Sequence, residues 1–151
     1  MNYLIIGGVA GGATVAARLR RMDEKANIIL FERGKYVSYA NWGLPYYIGD
    51  TINNREKLFV QTAKGFRIDI RTEQEVTAIR PDKKEVEIKN LSTGETYTET
   101  YDKLVLSPGA EPLRPSIEGI GSKKIFTLRN VPDTDTIKNY VNTENPKSAI
   151  V

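Results

Sequence analysis

The chain has 151 residues, of which 40% are hydrophobic, enough for the packed core of one domain or of one piece of a larger protein. It contains no cysteine and no histidine, which excludes disulfides, thiolate metal sites, cysteine nucleophiles and histidine acid–base catalysis within these residues. The net charge of +3 is mild, and no arginine-rich stripe interleaved with aromatic residues indicates nucleic acid binding. Any redox chemistry must therefore come from a bound cofactor.

The first predicted element is a strand at residues 3–6, and we do not expect it to be part of a signal peptide. The start of the chain is apolar, but it is short, lacks a cationic lead and is broken by glycines, which is not typical of such a peptide. No apolar run approaches the ~18–20 residues that span a membrane. We therefore expect a cytoplasmic protein that binds neither a membrane nor nucleic acid.

A glycine-rich stretch separates this strand from a predicted helix. The helix is expected from about residue 12 to residue 22, because Val15, Leu19 and Met22 recur on one face at spacings of four and three. The continuous apolar run at residues 28–31 is typical of a strand covered on both faces. Strand, turn, helix and strand form a βαβ unit, which implies parallel pairing and a right-handed crossover. The stretch itself consists of Gly7, Gly8, Val9, Ala10, Gly11 and Gly12.

This βαβ unit predicts dinucleotide binding. A tight glycine turn lets backbone N–H groups approach a phosphate, and the helix N-terminus adds the positive end of its dipole. Glu32 ends the second strand, 20 residues beyond Gly12, where such folds place a carboxylate on the ribose hydroxyls. The alternative for Glu32 is a solvated charge. Val9 occupies the middle position of the G-x-G-x-x-G pattern, a departure that Gly8 and Gly11 are expected to offset by relaxing the turn.

The middle of the chain is less regular. Residues 34–50 are aromatic and irregular, which suits either a wall against a flat ligand or a buried connection. A short helix is predicted around residues 61–64. Residues 85–89 and 95–99 alternate on either side of a turn at residues 92–94, which predicts an exposed antiparallel hairpin with solvated charges.

A second glycine turn, at residues 107–110, follows the apolar strand predicted at residues 101–106. Such a turn can line the same crevice as the first one, at the switch point of a parallel sheet. Further along, the pattern predicts a helix over residues 133–141 and a break at residues 145–147. Residues 148–151 are expected to open another strand.

Together these motifs resemble the flavoprotein pyridine nucleotide-disulfide reductases, in the branch of the coenzyme A disulfide reductases and NADH oxidases or peroxidases. The resemblance covers essentially all 151 residues. Its markers are the glycine stretch at residues 7–12 and residues 31–33, 38–46, 101–110 and 127–133.

The resemblance implies an α/β fold, a Rossmann-like FAD/NAD(P)-binding domain whose parallel sheet and helices carry an antiparallel β-meander at about residues 76–101. Residues 1–146 would form the N-terminal part of the FAD-binding domain. Residues 147–151 would be the first strand of an NAD(P)H-binding domain. The full-length family protein takes electrons from NAD(P)H and forms a homodimer.

The resemblance also implies FAD contacts. Residues 7–12 would hold the pyrophosphate and Glu32 the ribose, with Arg33 beside the adenine. Glu75 and Val76 would meet the adenine through the backbone. The other implied contacts are Asn41, Ser107, Pro108, Gly109 and Arg129.

Coenzyme A disulfide is the substrate that the resemblance favours. Oxidase and peroxidase members usually place a histidine at the position that Ala10 occupies here. Arg18 and Arg21 lie three apart on one helical face, close enough to meet one phosphate-bearing ligand, and the alternative is a solvated basic face. The coenzyme A contacts that the family implies are Thr14, Arg18, Arg21, Ser38 and Asn41.

Trp42 is a departure from the family pattern, because it stands where the family carries its redox cysteine. A thiolate there would attack the disulfide and exchange electrons with the flavin, whereas an indole can do neither. Flavin reduction by NAD(P)H, with oxygen as the acceptor, would then survive. The alternatives are a flavin-binding relative without turnover and a plain NAD-binding domain. The latter is disfavoured because it does not account for residues 107–110.

Overall fold

The computed structural model describes residues 1–60 and 67–151, so the helix predicted around residues 61–64 lies outside the described part. These residues form two compact units. The first consists of Met1–Tyr39 and Phe59–Gly109, and the second of Ala40–Leu58 and Ala110–Val151.

Seven strands and three α-helices are present in the described residues. The strands are β1 (Asn2–Ile6), β2 (Asn27–Glu32), β3 (Asp69–Thr72), β4 (Gln74–Arg80), β5 (Glu85–Asn90), β6 (Thr96–Thr100) and β7 (Lys103–Leu106). The helices are α1 (Gly11–Met22), α2 (Leu44–Ile48) and α3 (Val131–Glu144). None of these helices combines the length and the apolar character needed to cross a membrane.

A parallel sheet forms the centre of the first unit. Its strand order is β3-β2-β1-β7, so the predicted parallel pairing of β1 with β2 is confirmed. Ile28 and Leu30 are buried on the α1 side of β2, while Ile29 and Phe31 are buried on the other side. Burial on both faces explains why β2 is a continuous apolar run.

The first helix runs close to its predicted bounds and packs on the sheet through Ala16, which is buried. Val15 and Leu19 are partly buried against the same cluster, as expected. Met22, however, is 69% exposed, so the prediction that it shares this face is wrong. It is the last helical residue, and at Asp23 the chain leaves the helix in an extended conformation.

The predicted hairpin is present as part of an antiparallel sheet with the order β4-β5-β6, and Gly94 in its turn has a φ of +80°. The expectation that the hairpin is exposed is wrong for one face. Val86 and Ile88 are fully buried and share a core with Leu4 and Phe31 of the parallel sheet. Alternation along β5 places these two side chains inward and the charged ones outward.

Two outward charges of the hairpin, Glu85 and Glu87, are paired rather than merely solvated. The Arg80 guanidinium donates to Glu87 at 2.7 Å and to Glu85 at 3.1 Å. The bond from Arg80, together with one from the Thr77 hydroxyl, holds the pKa of Glu87 below its usual value. Opposite charges on facing strands stabilise the pairing of β4 with β5.

A second charged cluster joins β3 to the antiparallel sheet. The Arg71 guanidinium donates to Glu99 of β6 at 2.6 Å and to Asp69, and it lies 5.6 Å from the centroid of the Phe31 ring. This arrangement combines ion pairing with a cation–π contact. The parallel pairing of β3 with β2 that brings Arg71 here was not predicted.

The second unit contains two α-helices and two 3₁₀ turns, at Asn41–Gly43 and Arg55–Leu58. Part of the segment predicted to be irregular is therefore helical, as α2 begins directly after the first of these turns. The prediction of a helix in the 130s is confirmed by α3, which is longer than expected. Asn130 and Asp133 form a reciprocal capping box at its start, and Asn145 ends it with a φ of +44°.

Residues 148–151 are exposed and do not form a strand. A strand requires a neighbour that supplies backbone hydrogen bonds, and none of the described strands lies against these residues. Their assignment to an NAD(P)H-binding domain stays a prediction.

Candidate functional site

Two glycine turns lie side by side in the first unit. β1 and β7 are adjacent parallel strands with Ile6 opposite Leu106, so the turns that follow the two strands leave the sheet at the same edge. The Ser107 N–H donates to the Ile6 carbonyl at 2.8 Å. A Cβ atom built on Gly7 would lie 2.0 Å from the Ser107 carbonyl oxygen. The turns are therefore in direct contact at the carboxyl ends of the two strands, the edge at which open α/β sheets bind ligands.

Close packing explains the glycines of the first turn. Gly7 has a φ of +94°, and a Cβ on Gly12 would lie only 1.8 Å from the Gly7 carbonyl oxygen. Gly8 and Gly11 have no positive φ, so they do not relax the turn as expected. Instead, a Cβ at either position would meet a side-chain atom within 2.7 Å. Val9 is half-buried beside them.

The N-terminus of α1 opens onto this turn. Ala10 is its N-cap residue, no side chain caps it, and its first turn contains no acidic residue. The first N–H groups of a helix have no intrahelical acceptor, and they carry the positive end of the dipole. Without a capping side chain, these groups fit an anionic ligand such as a pyrophosphate.

Glu32 is hydrogen-bonded to the backbone of the turn. Its Oε2 accepts from the Gly8 N–H and its Oε1 accepts from the Gly34 N–H, each at 2.8 Å. The alternative of a solvated strand-end charge is therefore wrong. Each carboxylate oxygen has a second lone pair, so the group can still accept from a ligand hydroxyl. The neighbouring Arg33 is exposed.

A surface pocket of about 310 Å³ lies along α1. Three of the residues predicted to contact coenzyme A line it, namely Thr14, Arg21 and Ser38. Arg18 is exposed and does not line it, so only one of the two arginines faces this space. The other lining residues are Val9, Ala10, Ala13, Ala17, Tyr39 and Val60.

Ser38 connects the glycine turn to this pocket. It is buried and has a φ of +52°, an uncommon conformation for a residue with a side chain. Its N–H donates to the Gly8 carbonyl at 2.9 Å, and its carbonyl accepts from the Val60 N–H at 2.8 Å. Backbone strain of this kind persists where surrounding bonds hold it, and it is concentrated at functional sites.

Two further predicted FAD contacts, Glu75 and Val76, lie in β4. They pair with Lys89 and Ile88 of β5, and Val76 packs against the core between the sheets. Pro108 and Gly109 are exposed just beyond Ser107, and Gly109 has a φ of +72°. The contact of these residues with a cofactor stays a prediction.

The remaining predicted site residues belong to the second unit. Trp42 is 89% exposed in the 3₁₀ turn and Tyr46 is 56% exposed, so a buried connection does not describe these aromatic residues. The Asn41 Oδ1 atom is buried and has no hydrogen-bond partner among the described residues. The Arg129 guanidinium donates to the Ala110 carbonyl at 2.8 Å.

The whole chain matches one known family. The sequence profile of the family described as "Pyridine nucleotide-disulphide oxidoreductase" covers residues 1–151. The chain belongs to this family. Its members are FAD-dependent and use NAD(P)H. The predicted fold class and family are thereby confirmed.

Relatives within the family carry related activities. The coenzyme A disulfide reductase of Staphylococcus epidermidis is 40% identical over 154 residues, which span 99% of this chain and 34% of that protein. The corresponding protein of Staphylococcus aureus is 39% identical over the same length. The chain therefore spans about a third of the length of the curated relatives that it matches.

Solved structures of the family have the same architecture. Reduced Bacillus anthracis CoADR-RHD superposes with a TM-score of 0.93 at 56% identity, covering 97% of this chain and 27% of that one. An NAD-dependent persulfide reductase from A. fulgidus gives a TM-score of 0.87 at 36% identity, covering 94% and 27%. The NADH-bound, water-forming oxidase of Lactobacillus brevis gives a TM-score of 0.89 at 24% identity, covering 95% of this chain and 32% of that one. At this identity the similarity is one of fold alone.

Sequence reasoning missed two features of the site. Tyr39 and Val60 line the pocket because an isolated β-bridge pairs Tyr39 with Phe59, the residue before Val60. No pattern in the local sequence predicts this bridge. The contact of Glu32 with Gly8 and Gly34 was also missed. The sequence signal that could have predicted this contact is the position of Glu32 at the end of a buried strand, next to the glycine turn.

Proposed function

We propose that this chain is the FAD-binding portion of an NAD(P)H-dependent flavoprotein oxidoreductase resembling coenzyme A disulfide reductase. The observation that carries the proposal is the contact of two glycine turns beside Glu32 and an uncapped helix N-terminus. Bound FAD would supply two-electron chemistry by accepting a hydride from NAD(P)H and passing electrons to a second acceptor.

The residues of the first unit fit FAD in shape and charge. The N–H groups at the start of α1 would hold the pyrophosphate, and the free lone pairs of Glu32 would accept from the ribose hydroxyls. Arg33 would lie beside the adenine, with the backbone of Glu75 and Val76 contacting its edge. The other proposed contacts are Asn41, Ser107, Pro108, Gly109 and Arg129.

The substrate class that we propose is coenzyme A disulfide. The pocket along α1 offers the Arg21 guanidinium for a phosphate and the hydroxyls of Thr14 and Ser38 for polar groups. Its alanines leave room for an extended chain beside the helix. Arg18 and Asn41 complete the proposed set.

Trp42 supports a second candidate function. An indole forms no mixed disulfide, so a protein with Trp42 would lack the nucleophile that opens coenzyme A disulfide. Oxygen is then the proposed acceptor, in an NAD(P)H oxidase. A flavin-binding relative without turnover is the further alternative.

The organisation of the full-length protein is also part of the proposal. Residues 1–146 would belong to the FAD-binding domain, and residues 147–151 would begin the NAD(P)H-binding domain. We propose a cytoplasmic homodimer. Support for a further domain comes from the S. epidermidis relative, of which this chain covers only 34%.

Flavin content tests the cofactor assignment. The full-length protein is expected to purify yellow, with the visible absorbance of bound flavin, because its turns and helix N-terminus are suited to the pyrophosphate. The measurement is an absorbance spectrum of the purified protein, followed by release and identification of the cofactor. A colourless protein that FAD does not reconstitute would contradict the proposal.

Substitution of Arg21 tests the substrate pocket. Arg21→Gln is expected to weaken coenzyme A binding roughly tenfold, the usual effect of losing a charged hydrogen-bond partner. The measurement is calorimetric titration of the FAD-loaded full-length protein with coenzyme A. Arg18→Gln should have a smaller effect because Arg18 does not line the pocket, and Lys25→Gln on the exposed chain after α1 is the matched control. Equal affinities for all three variants would contradict this placement of the ligand.

A further inference from the structure

Glu32 joins two separate stretches of backbone. It is the last residue of β2, and its two carboxylate oxygens accept from Gly8 and Gly34, one oxygen for each N–H, at 2.8 Å. Gly8 belongs to the glycine turn after β1, whereas Gly34 follows β2. The side chain therefore links the ends of two neighbouring parallel strands on the side where the turn lies.

The bond to Gly8 is one of several constraints on the same residue. The Gly8 carbonyl accepts from the Ser38 N–H at 2.9 Å. A Cβ at Gly8 would lie 2.8 Å from Leu30 and 2.7 Å from Val37. Gly8 is thus hydrogen-bonded at its N–H and at its carbonyl, and its Cα is closely packed. Of these three constraints, only the bond from the N–H to Glu32 involves a charged group.

A carboxylate suits this place for a specific chemical reason. Both backbone partners are donors, and an ionised carboxylate accepts at both of its oxygens. A glutamine in the same position would turn an NH₂ group toward one of the two N–H groups and leave that donor unpaired. A ribose hydroxyl, in contrast, both donates and accepts, so it is satisfied by either side chain.

We infer that Glu32 is a positioning residue that fixes the glycine turn before FAD binds, in addition to its proposed contact with the ribose. The turn then meets the pyrophosphate in a preformed shape, and binding does not have to order it. The inference rests on the proposed function only in naming FAD as the group that the turn receives.

Amide hydrogen exchange of Glu32→Gln tests the inference in the full-length protein, after removal of bound flavin and again after adding FAD. In the flavin-free protein, exchange at Gly8 or Gly34 is expected to be at least about tenfold faster than in the unsubstituted protein, since a hydrogen bond to a charged group is lost. Glu24→Gln, which neutralises an exposed carboxylate paired with Arg67, is the matched control and should leave both amides unchanged. Unchanged exchange in Glu32→Gln would overturn the inference.

A second variant covers the case in which Glu32→Gln does not fold. Glu32→Asp keeps the charge, but its carboxylate is one methylene shorter and is expected to reach only one of the two N–H groups. One of the two amides should then lose protection, and equal protection of both would overturn the inference. Failure of the proposed function is distinguishable, because it would appear as absent FAD binding in the unsubstituted protein while the flavin-free exchange comparison still holds.

Discussion

Trp42→Cys is expected to confer NAD(P)H-dependent reduction of coenzyme A disulfide on the full-length protein, which should otherwise oxidise NAD(P)H slowly without reducing the disulfide. The new thiolate would attack one sulfur of the disulfide and release one coenzyme A thiolate, and the resulting mixed disulfide would be reduced with two electrons from NAD(P)H. Each NAD(P)H, with one proton, yields two coenzyme A thiols. Loss of a nucleophile lowers enzyme rates by up to about 10⁶-fold, so even partial recovery should exceed about 100-fold.

We expect this substitution to leave the fold intact. Trp42 is 89% exposed, so its removal takes little from the core, whereas its neighbour Gly43 is buried against Leu58. The measurement is thiol release from coenzyme A disulfide with NADH or NADPH. Trp42→Ser is the matched control, since it removes the same bulk without supplying a thiolate. Robust disulfide reduction by the unsubstituted protein, or equal gains from serine and cysteine, would refute this account of Trp42.

Gly7→Ala is expected to destabilise the first unit by about 2–5 kcal/mol and to abolish FAD binding by the full-length protein. The estimate combines two effects. Gly7 has a φ of +94°, and the added methyl group would lie 2.0 Å from the Ser107 carbonyl oxygen. Because the obstacle is backbone at the end of β7, relief requires the two turns to move apart. The measurements are chemical unfolding and flavin titration.

Gly94→Ala separates these two effects. Gly94 also has a positive φ, of +80°, but nothing lies within 4 Å of the place its Cβ would take. It should therefore show only the backbone penalty, roughly 1–2 kcal/mol, and should bind FAD normally. If Gly7→Ala is no less stable than Gly94→Ala, the close approach of Gly7 to Ser107 is not a feature of the folded protein.

Local sequence patterns predict where the site lies, but they do not predict its contacts. The apolar run of β2, the glycine turn and α1 are signals within about 30 consecutive residues, a typical length for a βαβ unit. That Glu32 ends β2 follows from the same pattern. Its acceptance of hydrogen bonds from Gly8 and Gly34 does not, because it depends on how two strand ends are oriented in three dimensions.

Two predictions failed because local pattern does not show what surrounds an element. The hairpin was expected to be exposed because its charges are visible in the sequence, yet Val86 and Ile88 cover the far side of the parallel sheet. Met22 has the right helical spacing, but the helix ends at that residue. Periodicity reports which residues share a face, and the partner that covers the face comes from elsewhere in the chain.

The sequence by itself determined the βαβ unit, the two glycine turns, the hairpin and the α/β class. Each of them follows from the spacing of apolar residues, from turn residues or from a charged residue at a strand end. Only the tertiary structure decided that the turns touch through Gly7 and Ser107, and that Ser38 adopts a left-handed conformation between Gly8 and Val60. It also decided which arginine of α1 faces the pocket. These features arise from contacts between residues far apart in the chain, and such contacts form only when the sheet brings the strand ends together.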